Sequence, residues 1–206
     1  MKVILASSSP RRREILNLIG LKNFEVVPPS VKEIFVKVPS DVKKNALKKA
    51  TWAYQKLKLF NDNELLIIAS DTAVFIDKTF LGKPKDKNQA REFLQRLSGR
   101  WHTVYTALAV IYRNQRKVKR ELTLSKTEVK FKKLSEKEID WYISTGEPLD
   151  KAGAYGIQGY GAIFIEKLKG DYFTVMGLPV KELYKSLKIL LGMERTLQLL
   201  SGGGGI

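Results

Sequence analysis

The first half of the chain alternates short apolar runs with segments in which apolar residues recur every three or four positions. Such runs are typical of buried strands, and the wider spacing is typical of helices that pack one face on a sheet. The predicted elements are strands over residues 3–6, 24–28, 65–69 and 73–76, a helix over 11–19, a long helix from 39 to about 57, and a helix over 86–97. Strands and helices in alternation favour an α/β fold.

The second half is richer in β-branched and aromatic residues, which favours hairpins. The predicted elements are a hairpin over residues 101–132 that turns at Asn114-Gln115, a helix from the capping box of Ser135 and Glu138 through Ile143, paired strands over 163–165 and 172–175, and a helix over 179–191. Alternation followed by hairpins predicts a mixed α/β fold. We expect one domain of two lobes, 1–100 with 179–206 and 101–178, and a ligand site in the cleft between them.

Composition narrows the classes of protein to which the chain can belong. Its 206 residues are 44% hydrophobic, enough for one domain with a core. The longest apolar run, near residues 65–69, is far shorter than the roughly 20 residues that cross a bilayer. We read no secretory signal, and we expect a soluble protein of the cytoplasm with no membrane partner. The glycine run at 202–205 is typical of a frayed or linker-like end.

The sequence contains no cysteine and a single histidine, which excludes several kinds of chemistry. Disulfides, thiolate nucleophiles, cysteine-ligated zinc and multi-histidine metal sites are ruled out. Any metal must be a hard, oxygen-ligated cation resembling magnesium. His102 has neither a second histidine nor a cysteine to pair with, and we expect it to be a structural imidazole rather than a catalyst.

The chain is strongly basic. Thirty-seven lysines and arginines against 21 acidic residues give a formal net charge of +16, which attracts polyanions. Nucleic acid, a phosphorylated small molecule and an acidic surface all suit this charge, and a lysine-rich solvated surface explains it equally well. The basic residues are scattered, without the interleaved aromatics of an RNA-binding sheet, so nucleic acid is the second choice of partner.

A run of serines and arginines lies at the predicted junction of the first strand and the first helix. Free backbone N–H groups and the helix dipole favour an anion there, and the planar fork of arginine matches two phosphate oxygens. The candidate phosphate-binding residues of the run are Ser7, Ser8, Ser9, Arg11, Arg12 and Arg13. An N-cap at Ser9 followed by solvated arginines is the alternative, and the run alone does not separate the two.

Ser70, Asp71 and Thr72 interrupt an otherwise apolar strand. Burying an unpaired carboxylate there would cost several kcal/mol, so a metal ion, a lysine or an opening into a cleft must compensate it. Each makes Asp71 a candidate base or metal ligand, although an aspartate at a strand end is the plainer explanation. Weaker candidates, whose residue types are ordinarily solvated, are Glu33, Lys49 and Lys83.

A glycine-rich stretch occupies residues 150–159. Its glycines allow close backbone approach, and Gln158 offers an amide that can read the edge of a base through hydrogen bonds. A glycine-rich turn between two elements is the alternative.

Taken together, these segments resemble the Maf family of nucleoside triphosphate pyrophosphatases. The matching segments are Ala6-Ser7-Ser8-Ser9-Pro10-Arg11-Arg12, Ala69-Ser70-Asp71-Thr72, Gly82-Lys83-Pro84, Leu97-Ser98-Gly99 with His102, and the block from Glu147 to Gly159. They stand in the family's order and span nearly the whole chain. The resemblance implies an elongated, twisted sheet flanked by helices, with two lobes and a central cleft.

The resemblance also implies hydrolysis of a nucleoside triphosphate to its monophosphate and pyrophosphate, with Mg²⁺ or Mn²⁺ as cofactor. Asp71 would hold the proton-acceptor position and, with Glu33, would ligate the metal. Lys49 and Lys83 would join the serines and arginines around the phosphates. Physically, the attack of water on the α-phosphorus needs a base on one side and cations beside the departing pyrophosphate.

Three positions are associated with substrate choice in this family, and here they hold Arg11, Thr72 and Gln158. They match the branch that acts on dTTP and UTP. The branch that acts on 7-methyl-GTP tends to carry tryptophan, glutamine and glutamate instead.

A binding module is the alternative function. The charge and the family's association with septum formation suggest a basic regulator of cell division or a nucleic-acid binder without turnover, whose affinity for DNA would fall steeply with salt. The oligomeric state, including a homodimer, stays open.

Overall fold

The computed structural model describes residues 1–57, 64–115 and 117–202, in which one seven-stranded sheet is accompanied by helices. The strands are β1 (Lys2–Leu5), β2 (Glu25–Val26), β3 (Leu65–Ile76), β4 (Thr79–Leu81), β5 (Trp101–Arg113), β6 (Val118–Phe131) and β7 (Ile165–Lys169). The α-helices are α1 (Pro10–Leu18), α2 (Pro39–Leu57), α3 (Lys87–Leu97), α4 (Glu136–Ser144), α5 (Tyr172–Met176), α6 (Val180–Leu191) and α7 (Met193–Leu200). Short 3₁₀ helices lie at Glu147–Asp150, Ala152–Ala154 and Tyr160–Phe164.

The sheet is mixed. Its strand order is β2-β1-β3-β5-β6-β7, and β4 pairs with the end of β3. β1 runs parallel to β2 and to β3, whereas β3, β5, β6 and β7 pair antiparallel in sequence. The predicted mixed α/β fold with a sheet flanked by helices is confirmed.

The two faces of the sheet pack against different helices because side chains alternate along each strand. On one face, Leu5 and Ile68 belong to a core cluster with α1 and α6. On the other face, Ile4 and Ile67 pack with the alanines of α2. A third cluster joins the far end of β3 to α3 and α4. Ordered packing on both faces holds the middle of β3, which carries Asp71, at a defined place.

One pair of predicted strands is wrong. Residues 172–175 form the helix α5 rather than a strand, because the Asp171 side chain accepts a hydrogen bond from the Thr174 N–H and caps the helix. The strand expected at 163–165 begins only at Ile165 and pairs with β6, while Ile163 belongs to a 3₁₀ helix. The apolar, β-rich composition of 172–175 does not reveal this cap.

Other details differ less. β3 continues without interruption through Ser70, Asp71 and Thr72, because its backbone pairing with β5 runs through all three positions. α7 was not predicted. Asn114 and Gln115 lie between β5 and β6 as expected, and residues 203–205 of the glycine run lie outside the described residues. The division of the chain into two lobes stays a prediction.

The helices of the described residues do not have the character of membrane spans. None of their helices has both the length and the apolar character that a bilayer span requires.

Gly20 follows α1 and lies against the backbone of Leu200 at the end of α7, and this contact leads to a stability prediction. Its φ is +87°, and a Cβ there would come 2.0 Å from the carbonyl oxygen of Leu200. Gly146 is a matched control, since its φ is +76° and no atom of the described part of the chain lies within 4 Å of a Cβ built there. Both alanine variants carry a left-handed strain of about 1–2 kcal/mol.

We expect Gly20→Ala to lose about 1–3 kcal/mol more than Gly146→Ala, because the backbone of α7 must move. Urea denaturation of the two variants measures the difference. Equal losses would show that the close approach to Leu200 does not contribute.

Candidate active site

A cavity of about 520 Å³ opens where the end of β1, the middle of β3, the residues after β4 and the loop after α4 meet. The sequence-predicted residues that line it are Ser7, Ser8, Ser9, Arg11, Arg12, Glu33, Lys49, Asp71, Thr72, Lys83 and Gln158. Arg13 is exposed on α1 and is not among the lining residues. Residues from six separate stretches of sequence therefore meet at one cavity.

The serine-rich turn after β1 is held by its own hydroxyl groups. The Oγ of Ser7, a residue only 2% exposed, accepts hydrogen bonds from the N–H of Ser9 at 3.2 Å and from Nη1 of Arg12 at 3.0 Å. Pro10 begins α1, where a missing N–H costs nothing. Ser9 occupies the predicted N-cap position, but its side chain makes no capping bond. That side chain therefore does not use the free N–H groups at the start of α1.

Arg12 is fixed by three contacts from different elements. Its Nε donates to the carbonyl oxygen of Gly177 at 2.9 Å, Nη1 to Ser7 and Nη2 to Oγ1 of Thr72 at 3.4 Å. Burial lowers the pKa of Arg12 to about 10, and the charge of Asp71 opposes that shift. The guanidinium stays charged at neutral pH and lies in a defined orientation beside the cavity.

Thr72 helps to orient Arg12. Oγ1 of Thr106 donates to the carbonyl oxygen of Thr174 at 2.6 Å, which uses the only proton of that hydroxyl. The bond of 3.0 Å between Thr72 and Thr106 must therefore be donated by Thr72. Its oxygen is then the acceptor for Arg12. Thr72 thus affects the site through the arginine as well as by lining the cavity.

Asp71 is the buried acid of the cavity, 7% exposed in the middle of β3. Lys49 of α2 donates from Nζ to Oδ1 of Asp71 at 2.6 Å and contacts Oε1 of Glu33 at 2.7 Å. The sequence analysis named three features that could offset the cost of burying the Asp71 carboxylate. The structure contains two of them, a lysine and an opening into a cleft. One ammonium thus contacts both carboxylates, and the charge of Arg12 acts on both as well.

Glu33 and Asp71 are two carboxylates of the cavity lining that can act as oxygen ligands of a cation. Both carboxylates contact one nitrogen, so they lie close enough to share an ion. Mg²⁺ is commonly held by one or two carboxylates together with substrate phosphates, a donor set that this pair can supply. Within the described residues, no group of three or more acidic or histidine side chains is placed to bind a metal ion. The pair can supply two of the ligands of a cation that is shared with a phosphorylated ligand.

The glycine-rich block after α4 forms the opposite wall and is anchored by Glu147. Its Oε1 accepts hydrogen bonds from Tyr142 OH at 2.8 Å and Gly161 N–H at 3.2 Å, and Oε2 accepts from Tyr160 N–H at 3.0 Å. The Tyr142 hydroxyl in turn accepts from the N–H of Gly156 at 3.2 Å. Sequence reasoning missed this anchor, although Glu147 stands at the start of the block that was singled out.

Gln158 lines the cavity from this block. Its Oε1 is buried and has no hydrogen-bond partner among the residues that the structure describes. A buried polar atom without a partner is costly, and a ligand that donates a hydrogen bond would remove that cost.

Asp150 is a lining residue that was not predicted. Burial raises its pKa, but the hydrogen bond from Lys151 and the charges of Lys151, Arg11 and Lys83 outweigh burial and hold the pKa below its usual range. The carboxylate therefore stays ionised. It interacts electrostatically with Arg11 and Lys83, two of the predicted phosphate-binding residues. The signal in the sequence was its place at the head of the glycine-rich stretch.

His102 lies beside the cavity wall rather than in the lining. It is 3% exposed, and its Nε2 is 2.7 Å from the hydroxyl of Tyr155, which does line the cavity. Its ring also packs edge-on against Phe131, with centroids 5.0 Å apart. Burial lowers the pKa of His102 to about 3. The imidazole is neutral at physiological pH and supports Tyr155 by packing and hydrogen bonding.

Hydroxyls, guanidiniums and ammoniums around one buried carboxylate define a site for a phosphate-bearing ligand, and comparison with known proteins agrees with that class. The chain belongs to the Maf-like protein family, whose model matches residues 2–190.

Curated relatives cover most of the chain. A dTTP/UTP pyrophosphatase of Thermotoga maritima is 45% identical over 188 residues, which are 91% of this chain and 88% of that protein. A dTTP/UTP pyrophosphatase of Aquifex aeolicus is 45% identical over 205 residues and 98% of both chains, and one of Bacillus anthracis is 43% identical over 190 residues, 91% of this chain and 94% of that protein.

A solved Mycobacterium abscessus structure titled nucleoside-triphosphatase / dITP/XTP pyrophosphatase aligns over 96% of this chain and 98% of its own. The TM-score is 0.43 and the identity 19%, too distant to bear on the site.

The buried imidazole of His102 generates a pH prediction. The unfolded chain binds a proton there below pH 6.5, whereas the folded chain does so only near pH 3, so stability falls as the pH falls through this window. Between pH 6.5 and pH 5 the loss is about 1–2 kcal/mol. His102→Gln, which does not titrate, should flatten this dependence. Urea denaturation at both pH values measures it, and an unchanged slope in the variant would contradict the assignment.

Proposed function

We propose that the protein hydrolyses the α–β phosphoanhydride of dTTP and UTP, releasing the nucleoside monophosphate and pyrophosphate. The observation that carries the proposal is the buried Asp71 carboxylate, bonded to Lys49, in the same cavity as the serine and arginine turn. Family membership and relatives named dTTP/UTP pyrophosphatase support the same reaction.

The basic lining suits a triphosphate tail. Arg11, Arg12, Lys49 and Lys83 line one cavity with the serines of the turn. A triphosphate brings several negative charges, and more charge develops on the pyrophosphate as it leaves. We assign Arg11 and Lys83 to the departing pyrophosphate, with Arg12 held in place for the same task by Ser7 and Thr72.

Asp71 is the residue we assign to proton acceptance. Lys49 holds Oδ1, so the ammonium orients the carboxylate, and Oδ2 is the oxygen we assign to the attacking water. General-base assistance requires the acceptor to lie within hydrogen-bond reach of that water, which a carboxylate in the cavity lining allows.

A divalent cation, Mg²⁺ or Mn²⁺, is the cofactor we propose. Asp71 and Glu33 would hold it together with the substrate's phosphate oxygens, and Lys49 orients both carboxylates. When bound, the cation would supply Lewis-acid polarisation of the phosphate.

Gln158 is the residue we assign to base selection. Thymine and uracil carry an N–H donor between two carbonyl acceptors, and a glutamine amide offers the complementary acceptor and donor. The buried, unpartnered Oε1 of Gln158 would accept that N–H. Cytosine presents an acceptor at the same place and would leave Oε1 unpaired. Arg11 and Thr72, the other two specificity candidates, line the same cavity.

The proposed reaction belongs in the cytoplasm, where nucleoside triphosphates are made. A homodimer and a role in septum formation stay predictions. The alternative function is a DNA-binding module without turnover, which the net charge of +16 suggests. The turnover assay described below distinguishes it from the pyrophosphatase.

Asp71→Asn tests the catalytic assignment. We expect kcat for dTTP and UTP with Mg²⁺ to fall roughly 10²- to 10⁴-fold, because the base is lost while the shape is kept. Pyrophosphate release measures turnover, and Asp77→Asn, which removes an exposed partner of Arg100, is the control expected to retain it. Undiminished turnover in Asp71→Asn would remove this residue from catalysis, and absent wild-type turnover with salt-sensitive DNA binding would favour the alternative.

Gln158→Leu tests base selection. A bidentate amide contact with a base is worth about 1–3 kcal/mol of discrimination. We therefore expect the ratio of kcat/KM for UTP over CTP to fall roughly ten- to a hundredfold in the variant. Loss of activity toward both nucleotides in equal proportion would instead assign Gln158 to the shape of the wall.

A further inference from the structure

The position of Glu33 depends on a segment that has neither strand nor helix. Residues 29–38 carry Pro29, Glu33 and Val36 into the cavity lining. The Glu33 side chain is 52% exposed, so packing of that side chain cannot fix it. What places its carboxylate against Lys49 must be the backbone that carries it.

The face of α2 turned toward this segment carries three buried polar residues. Asp41, Asn45 and Lys49 are four positions apart, so they lie on one side of the helix, and they are 7%, 1% and 7% exposed. Their neighbours on α2, such as Ala46 and Ala50, are apolar and fully buried. Polar groups placed in such surroundings are costly unless each has a partner.

Asn45 finds its partners in the residue next to Glu33. Its Oδ1 accepts a hydrogen bond from the N–H of Ile34 at 2.8 Å, and its Nδ2 donates to the carbonyl oxygen of Ile34 at 3.2 Å. One amide thus pairs with both backbone polar groups of a single residue. An amide carries its acceptor and its donor on two separate atoms, which a hydroxyl or a carboxylate does not.

Asp41 holds the same segment at a distance from Glu33. Its Oδ2 accepts from the N–H of Lys37 at 3.0 Å and of Val38 at 3.2 Å. Asp41 and Asn45 therefore make the same number of bonds to the backbone of the 29–38 segment, but of these two it is Asn45 that does so beside the carboxylate that reaches Lys49. On the other side of Glu33, the exposed Lys48 donates to the carbonyl oxygen of Lys32.

We propose that Asn45 is a positioning residue, which acts through Ile34 to hold the Glu33 carboxylate at Lys49 and Asp71. The effect of Asn45 on turnover rests on the proposed function, whereas its effect on the position of the Ile34 backbone does not. A residue that only stabilised the fold, as we expect of Asp41 with its bonds to Lys37 and Val38, would affect turnover independently of Glu33. A positioning residue acts on turnover through Glu33 alone.

The experiment compares Asn45→Ala with Asp41→Ala. We expect Asn45→Ala to lower kcat for UTP roughly ten- to a hundredfold, as loss of a supporting partner of a ligand commonly does. In a Glu33→Gln background the same change should lower kcat by less than about twofold, because the group that Asn45 positions is already gone. Asp41→Ala should lower stability yet keep its effect on kcat equal in both backgrounds.

Hydrogen exchange of the Ile34 amide, followed by NMR without substrate, gives a second readout. We expect faster exchange in Asn45→Ala and no change at Ile34 in Asp41→Ala. If Asn45→Ala does not fold, Asn45→Asp keeps the size and one acceptor, and it should show a smaller loss of kcat in the same two backgrounds.

Two results would overturn the proposal: full additivity of Asn45→Ala with Glu33→Gln, or unchanged exchange at Ile34. Absence of wild-type turnover with every triphosphate would overturn the proposed function instead. In that case the exchange comparison alone decides whether Asn45 holds Ile34.

Discussion

The ion pair between Lys49 and Asp71 is the constraint on which the site depends. A carboxylate in the middle of a strand with packed faces on both sides is unfavourable by itself, and a lysine 2.6 Å away makes it tolerable. That pairing links α2 to β3 across the core cluster of alanines and β-strand residues, so the fold and the chemistry share one contact. The second carboxylate on the same ammonium, Glu33, extends the link to the 29–38 segment.

The rest of the cavity is arranged so that charged groups are held before a ligand arrives. Arg12 is fixed by a serine, a threonine and a backbone carbonyl, and the opposite wall is held by Glu147 through Tyr142 and two backbone N–H groups. Preorganised groups of this kind stabilise developing charge without having to reorient during the reaction. His102 contributes by staying neutral and filling space behind Tyr155.

Much of this could be predicted from local pattern. Hydrophobic periodicity located β1, α2, β3 and the long hairpin, since each buries one face or two faces against neighbours. Residues 172–175 were missed because their apolar composition suits a strand, while the Asp171 cap that makes them a helix depends on a contact three residues on. The candidate site residues were predicted from residue type and resemblance. Their partners were not, because the bond between Lys49 and Asp71 spans 22 residues and that between Arg12 and Gly177 spans 165. The sequence pattern does not indicate a role for Asn45, because that role depends on where the 29–38 segment lies in the fold.

A crystal structure with Mg²⁺ and a UTP analogue that carries a non-hydrolysable α–β bridge is the most direct measurement of the central claim. The account predicts the α-phosphorus beside Asp71 and Glu33, with the β- and γ-phosphates toward Arg11, Arg12 and Lys83. A γ-phosphate beside Asp71, or an analogue bound away from the Lys49–Asp71 pair, would contradict it.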